Sequence, residues 1–160
     1  FVVPEGFYPK TGAKIYSLLD PTAKMGKTDD NTAGTIFLLD DEDTVMRKFR
    51  RAVTDSGNEI KFAADKPGIS NLLTIYSIFS GKSVREAEAE FAGSDYATFK
   101  TRVGECVVEY FKPIRKKYFE IISDKGYLNE LMKKGAEKAA RTAYRTLSKV
   151  YRKVGLVPAP

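Results

Sequence analysis

From Asp40 to near the end of the chain, apolar residues recur at intervals of three and four, a pattern that residues 1–39 lack. Such spacings place side chains on one face of an α-helix, so most of the chain is expected to be helical. No apolar run approaches the ~18 residues of a membrane span, and no membrane partner is expected. The predicted fold class is mostly α: an irregular helical bundle over residues 40–160, preceded by a short α/β segment over residues 1–39.

Capping residues and helix breakers divide the helical part into successive elements. Ser83 and Glu86 have the spacing of a capping box. Pro113 is expected to kink a long helix, because proline removes a backbone hydrogen bond and clashes with the preceding turn. A following helix is expected to break or weaken at Gly135. The predicted helices run from Asp40 or Asp41 to about Val53, from Ser70 to about Gly81, from Ser83 to about Phe91, from Asp95 onward, and from Ala136 to Val154, with Gly155 as the final stop.

The chain contains no histidine and one cysteine, Cys106. A histidine general base, a Ser-His or Cys-His nucleophile pair and a histidine or thiolate zinc site are therefore excluded for this chain alone. The net charge is +6. Residues 98–154 contain 15 basic and 6 acidic residues, a net charge of +9, so the positive excess lies in the C-terminal helices.

A polar loop over residues 20–34 separates two short segments, 13–19 and 35–39, that are expected to be extended. Long loops within compact chains are often functional. Lys24 and Lys27 flank a glycine in this loop, and lysines on such a loop can neutralise a polyphosphate. A P-loop is an unsuitable interpretation, because its first glycine would fall on Pro21 and no helix is expected to begin at the end of the motif.

The segment Lys24-Met25-Gly26-Lys27-Thr28 is similar to the KMSKS loop of class I aminoacyl-tRNA synthetases. Lys66-Pro67-Gly68-Ile69-Ser70-Asn71-Leu72-Leu73 follows it, and Ala52-Val53-Thr54-Asp55-Ser56 lies between the two. In this order, the blocks resemble the C-terminal half of bacterial-type tryptophanyl-tRNA synthetases over nearly the whole chain. The Lys-Pro-Gly block makes the resemblance specific and disfavours the tyrosyl relatives.

The resemblance implies roles for residues of the loop. Lys24 and Lys27 would approach the ATP phosphates as the catalytic residues. Gly26 and Thr28 replace the two serines of the usual motif, and only Thr28 keeps a hydroxyl. The implied ATP-binding positions are Ile15, whose backbone would meet the adenine, and Lys24, Met25, Gly26, Lys27 and Thr28. Asp29 and Asp30 would cap or brace the loop, a magnesium role being the less favoured alternative, and no metal-ligating residue is assigned.

The resemblance also implies a division of labour. Residues 1–39 would be the end of a Rossmann catalytic domain, and residues 40–160 a helical anticodon-binding domain. Because no histidine is present, the His-Ile-Gly-His type motif of the family is expected to lie outside this chain, which begins at Phe1 and looks like a fragment. The parent enzyme would use ATP with Mg²⁺, tryptophan and tRNA(Trp), form a homodimer and act in the cytoplasm, whereas the fragment alone would be inactive.

Basic residues of the last predicted helix form a stripe opposite its apolar face. Lys138, Arg141, Arg145, Lys149 and Arg152 lie within an arc of roughly 80° at ~100° per residue. Such a stripe can meet nucleic-acid phosphates, although a solvated helix face has the same appearance. Candidate tRNA-binding residues are these five and Arg115. Tyr118 and Tyr144 have the right type for stacking on bases, but core packing is the favoured explanation for the tyrosines. A stand-alone helical RNA-binding module without catalysis is the alternative function.

Overall fold

The computed structural model describes residues 2–9, 11–28 and 31–157. Within them, a short 3₁₀ helix, Thr32–Gly34, precedes five α-helices, and no strand forms. The mostly α fold class is therefore confirmed. No helix in these ranges is both long and apolar enough to cross a bilayer. The helices are α1 (Glu42–Arg50), α2 (Pro67–Ser80), α3 (Val84–Glu90), α4 (Tyr96–Ser123) and α5 (Lys125–Val154).

Local capping chemistry explains where three of these helices begin. The side chain of Asp41 accepts a hydrogen bond from Thr44 N–H and caps α1. Ser83 and Glu86 form the expected capping box of α3, with the side chain of each bonded to the backbone of the other. Asp95 Oδ1 accepts from Thr98 N–H at 2.8 Å and caps α4. These three predicted helix starts are confirmed.

Helix α2 begins three residues earlier than the sequence pattern predicts. Pro67 occupies the first turn, where its missing N–H removes no helical hydrogen bond and its fixed φ suits a helix. The Ser70 side chain is used elsewhere: its hydroxyl accepts from Ala63 N–H and donates to Ala63 O. Ser70 therefore ties the preceding connection to the helix and does not cap it. Gly81 ends α2 with a left-handed φ of 73°.

The predicted break at Gly135 is wrong, because α5 is continuous from Lys125 to Val154. Glycine costs a helix only about 1 kcal/mol relative to alanine, and the helix-forming residues around it can offset that amount. Gly155 ends the helix with a φ of 75°, as expected. Helix α4 also continues through Pro113, so the expected kink there stays a prediction.

The two short segments predicted to be extended, 13–19 and 35–39, form no strand in the described residues. A single antiparallel bridge joins Tyr16 and Lys24. The backbone groups of the first segment instead bond to single partners in different places. Ser17 N–H donates to Ala23 O, and Leu18 N–H donates to Gly34 O. These separate hydrogen bonds hold the segment in place without forming the continuous hydrogen-bond ladder of a β-sheet.

The structure divides into two compact units, Phe1–Arg115 and Lys116–Pro160. The first unit contains a hydrophobic core to which α1, α2, α3 and the beginning of α4 all contribute. On α4, Phe99, Val103 and Val107 are buried, whereas Tyr110 and Ile114, which continue the same helical spacing, are exposed. In the second unit, α5 has no buried residue. The predicted boundary near residue 40 between a catalytic remnant and a helical domain stays a prediction.

Candidate functional site

Met25 anchors the lysine loop, residues 24–28, to the first unit. Its N–H donates to Ile15 O at 2.9 Å, and its half-buried side chain packs against the hydrophobic core. Lys24 and Lys27 on either side of it are exposed. Met25 is therefore the fixed residue of the loop, whereas the lysines on either side of it extend into solvent.

Gly26 is held by a second contact. The Thr35 hydroxyl donates a hydrogen bond to Gly26 O at 3.1 Å, and Thr35 is buried with 5% of its surface exposed. Sequence reasoning missed Thr35, since it lies nine residues along the chain in a segment without helical period. Thr35 is a hydroxyl residue in an otherwise apolar run directly after the loop, and this feature of the sequence could have indicated its role.

The two predicted catalytic lysines are free to meet an external anion. Within the described residues, neither Lys24 nor Lys27 forms an ion pair. The N–H of Ile15 donates no hydrogen bond in that part of the chain, where only the Ile15 carbonyl is used, as the acceptor of Met25 N–H. The loop thus presents two cations, and the Ile15 N–H lies near its base. Thr28 is also exposed.

The predicted bracing residues Asp29 and Asp30 lie outside the described residues. Among those that are described, no group of three or more acidic or cysteine side chains could hold a metal ion. The thiol of Cys106 is half-buried in α4, and burial raises its pKa. A thiol with a raised pKa stays protonated and is a poor nucleophile.

Helix α2 holds the segment from which the lysine loop extends. Asn71 is buried, and its carboxamide bonds both backbone polar groups of Tyr16 at 2.9 Å. Gly68 lies so close to Val53 that an added Cβ would be 2.2 Å from the Val53 carbonyl oxygen. These contacts give structural reasons for the glycine and the asparagine in the Lys-Pro-Gly-Ile-Ser-Asn block.

Lys66, at the start of the same block, belongs to a polar cluster with Asp55 and Tyr96. Lys66 Nζ lies 3.2 Å from Asp55 Oδ1, and Tyr96 OH donates to the same oxygen at 2.9 Å. Burial alone would raise the pKa of Asp55, but the hydrogen bonds from Tyr96, from Gly57 N–H and from Lys66 outweigh it and lower the pKa. The cluster therefore holds Asp55 as a carboxylate and joins the 51–66 connection to α4.

The basic stripe of α5 is exposed along its whole length. Within the described residues, none of its members pairs with a carboxylate. The opposite face carries exposed apolar side chains, among them Leu147 and Val154. Tyr144 is 64% exposed, so core packing does not account for it, whereas Tyr118 is half-buried. The members of the basic stripe are Lys138, Arg141, Arg145, Lys149 and Arg152.

Arg115 differs from these five residues. It is half-buried in the first unit, and its guanidinium donates to Asp40 O and, at 3.4 Å, to Val108 O. A guanidinium occupied by two backbone carbonyls has fewer donors left for phosphate. These contacts favour a structural role for Arg115, and its predicted contact with tRNA stays untested.

Known proteins resemble this chain over most of its length, both in sequence and in structure. The chain is 48% identical over 157 residues to a tryptophan–tRNA ligase of Bacillus anthracis, covering 98% of this chain and 47% of the relative. A crystal structure of tryptophanyl-tRNA synthetase from Mycoplasma pneumoniae matches with a TM-score of 0.82 at 32% identity, covering 93% of this chain and 45% of that one.

A third similarity is to the Campylobacter jejuni tryptophanyl-tRNA synthetase complexed with ADP and tryptophan. Its TM-score is 0.63 at 30% identity, with 88% of this chain and 44% of that chain covered. The chain thus spans about half the length of the relatives that it matches. The sequence profile of tRNA synthetases class I (W and Y) matches residues 1–112. On this match, the chain belongs to the family of class I tRNA synthetases for tryptophan and tyrosine.

Proposed function

We propose that this chain supplies the lysine loop that contacts the ATP phosphates, and the tRNA-binding helices, of a tryptophan–tRNA ligase. Such an enzyme activates tryptophan with ATP and transfers it to tRNA(Trp). The observation that carries the proposal is the exposure of Lys24 and Lys27 on both sides of the anchored Met25. The similarity to tryptophan–tRNA ligases over 98% of the chain supports the same assignment.

Lys24 and Lys27 act as point charges on the ATP phosphates. Negative charge on the pyrophosphate group grows as its bond to the α-phosphate breaks, and a lysine that approaches at that moment lowers the barrier. Contacts of equal strength in the ground state would raise affinity without raising the rate. Of the two, Lys27 is assigned to the departing pyrophosphate. Its neighbour Thr28 adds a hydroxyl donor.

Ile15 contributes through its backbone. Its N–H has no acceptor among the described residues and lies at the base of the loop, so it can donate to a nitrogen on the edge of adenine. A main-chain donor can perform this task with any side chain, which fits the presence of an aliphatic residue here. The isoleucine side chain packs against the core and fixes the position of that N–H.

ATP would enter this site together with Mg²⁺. The described residues offer no cluster of ligands for the ion, so no residue of this chain is assigned to it. The phosphates themselves carry oxygens of the kind that Mg²⁺ prefers. Lys24 and Lys27 would share the neutralisation of phosphate charge with the ion.

Binding of tryptophan and most contacts to ATP belong to the half of the parent enzyme that this chain does not match. The chain alone is therefore expected not to form tryptophanyl-adenylate. The parent enzyme is proposed to be a homodimer that acts in the cytoplasm. On tRNA(Trp), the exposed basic stripe of α5 would contact phosphates, and Tyr144 could stack on an unpaired base.

The decisive experiment supplies the missing half in trans. The N-terminal half of the Bacillus anthracis ligase is mixed with this chain, and tryptophan-dependent exchange between ATP and pyrophosphate is measured. We expect exchange from the mixture, none from either part alone, and at least a tenfold loss with Lys27→Met. Arg85→Met, which removes an exposed cation of α3, is the control and should retain full exchange.

Two outcomes would contradict the proposal. Exchange by the isolated chain would show that it contains a complete active site. Failure of the mixture to react, combined with specific binding of RNA by this chain, would instead favour the stand-alone RNA-binding module.

A further inference from the structure

The Gly26 carbonyl occupies a central place in the lysine loop. A peptide group is planar, so the direction of Gly26 C=O also fixes the direction of the Lys27 N–H and the position from which the Lys27 side chain departs. Directly before Gly26, Met25 is held by the hydrogen bond from its N–H to Ile15 O. A hydrogen bond to the Gly26 carbonyl therefore fixes the position of the Lys27 backbone at the start of its side chain.

The Thr35 hydroxyl binds that carbonyl from a rigid base. Gly34, directly before it, is buried, and its carbonyl accepts from Leu18 N–H at 2.9 Å. A Cβ on Gly34 would lie 2.1 Å from Ser17 Oγ, so the Gly34 backbone packs directly against the Ser17 side chain. Thr35 N–H donates to Thr32 O at 3.2 Å. Thr35 therefore has little freedom to move with the loop.

Lys48 of α1 completes this base. Its ammonium donates to Thr35 O at 2.8 Å and to Asp40 Oδ2 at 2.6 Å, and only 11% of its side chain is exposed. The same carboxylate accepts from Phe37 N–H at 3.0 Å. One buried ammonium thus fixes both ends of the 35–40 segment to α1. Lys48 is occupied within the fold and is not part of the phosphate-binding charge.

We propose that Thr35 is the positioning residue of the lysine loop, and that the ion pair of Lys48 with Asp40 holds Thr35 in place. The inference rests on the proposed function only for its consequence, which is that Lys27 reaches the ATP phosphates from a defined starting point. The contacts themselves can be tested on this chain alone. A failure of the proposed function would appear in the exchange assay and leave the present test unaffected.

Trypsin provides the test, because it cuts after Lys24 and Lys27. Cleavage within a folded region requires local opening, and its rate follows the population of the open form. Thr35→Val replaces the hydroxyl by a methyl group of similar size. Loss of one hydrogen bond is expected to raise cleavage at the Lys24–Met25 bond about three- to tenfold. Mass spectrometry identifies the bond that is cut.

Three further variants separate the hydroxyl from other effects. Thr35→Ser keeps the hydroxyl and should be cut at the wild-type rate, whereas Thr35→Ala should be cut as fast as Thr35→Val. Thr101→Val removes a hydroxyl that bonds the Ala97 carbonyl in α4, and it should leave cleavage of the loop unchanged. Lys48→Met should also accelerate the cut after Lys24.

Several results would overturn the proposal. One is wild-type cleavage of Thr35→Val and Thr35→Ala. Another is equally fast cleavage of Thr35→Ser and Thr35→Ala, since the methyl group and not the hydroxyl would then hold the loop. If Thr35→Val accelerates cleavage at every lysine and arginine because the fold is lost, the comparison of Thr35→Ser with Thr35→Ala decides.

Discussion

The carboxamide of Asn71 pairs with both backbone polar groups of Tyr16. Asn71 Oδ1 accepts from Tyr16 N–H, and Asn71 Nδ2 donates to Tyr16 O, each at 2.9 Å. The two residues are 55 positions apart, so a single side chain joins the segment that precedes the lysine loop to helix α2. No other side chain type offers a donor and an acceptor in this arrangement, except glutamine, which is longer by one methylene.

Asn71→Ala is expected to destabilise the first unit by about 1–3 kcal/mol, because two partly buried backbone groups lose their partner. Urea unfolding followed by circular dichroism measures the change. Asn58→Ala is the matched control, since Asn58 is exposed and should tolerate the change within about 0.5 kcal/mol. Equal stability of the two variants would show that Tyr16 finds other partners.

Tyr96→Phe is expected to reduce stability in a pH-dependent way. The Tyr96 hydroxyl donates to Asp55, whose pKa in the fold lies below its usual value. A lowered pKa stabilises the fold above the unfolded value of about 3.9, and this contribution is lost as the pH falls through the folded value. The variant should therefore lose about 1 kcal/mol at pH 7 and progressively less below about pH 4.

Urea unfolding at a series of pH values measures the Tyr96→Phe effect, with Tyr8→Phe as the control because Tyr8 is exposed. A loss of stability that is the same at pH 7 and pH 3 would show that the hydroxyl acts without the Asp55 charge.

Gly68→Ala and Gly135→Ala should have opposite effects. A Cβ at Gly68 would meet the Val53 carbonyl oxygen at 2.2 Å, so backbone must move, at a cost of about 1–3 kcal/mol. A Cβ at Gly135 would meet nothing within 4 Å, and alanine favours a helix by about 1 kcal/mol. Thermal melting by circular dichroism should show a lower midpoint for the first variant and a higher one, or more residual helix, for the second. Melting changes of the same sign would refute this.

Lys149→Glu is expected to weaken binding of tRNA(Trp). Lys149 belongs to the basic stripe of α5, and reversal of its charge should lower affinity several-fold and reduce the salt slope by about 1. Lys133 lies about 160° from Lys149 around the same helix, so Lys133→Glu gives the same charge change off the stripe. Fluorescence anisotropy over a range of salt concentrations measures both. Equal losses would indicate that only net charge matters.

Local chemistry allowed several helix ends to be predicted. Asp41, the Ser83–Glu86 pair and Asp95 act within one turn of their own position, so their spacing carries the information. The extent of burial along α4 could not be predicted in this way. Tyr110 continues the apolar period of Val103 but is half exposed, because burial depends on which other elements reach that point. The spacing of apolar residues identifies the apolar face of a helix, but it does not say which other elements cover that face.

In the candidate site, too, some features follow from nearby residues and others depend on distant contacts. The charges of Lys24 and Lys27 were evident because the two lysines lie only three positions apart in one polar loop. The contact of Thr35 with Gly26 spans 9 residues and that of Lys48 with Thr35 spans 13. Each of these contacts depends on the path of the intervening chain, which no period or motif specifies. The supporting side chains of the loop were therefore revealed only by the structure.

The hydrogen bonds at the beginning of α2 imply an order of folding. Ser70 bonds Ala63 over 7 residues, Lys66 bonds Tyr96 over 30, and Asn71 bonds Tyr16 over 55. The entropic cost of closing a chain segment rises with its length, so distant pairs are expected to form later. The segment around Tyr16 would then dock last onto helices that have already assembled. In reverse, it would be the first to detach, releasing the lysine loop while the helical core persists.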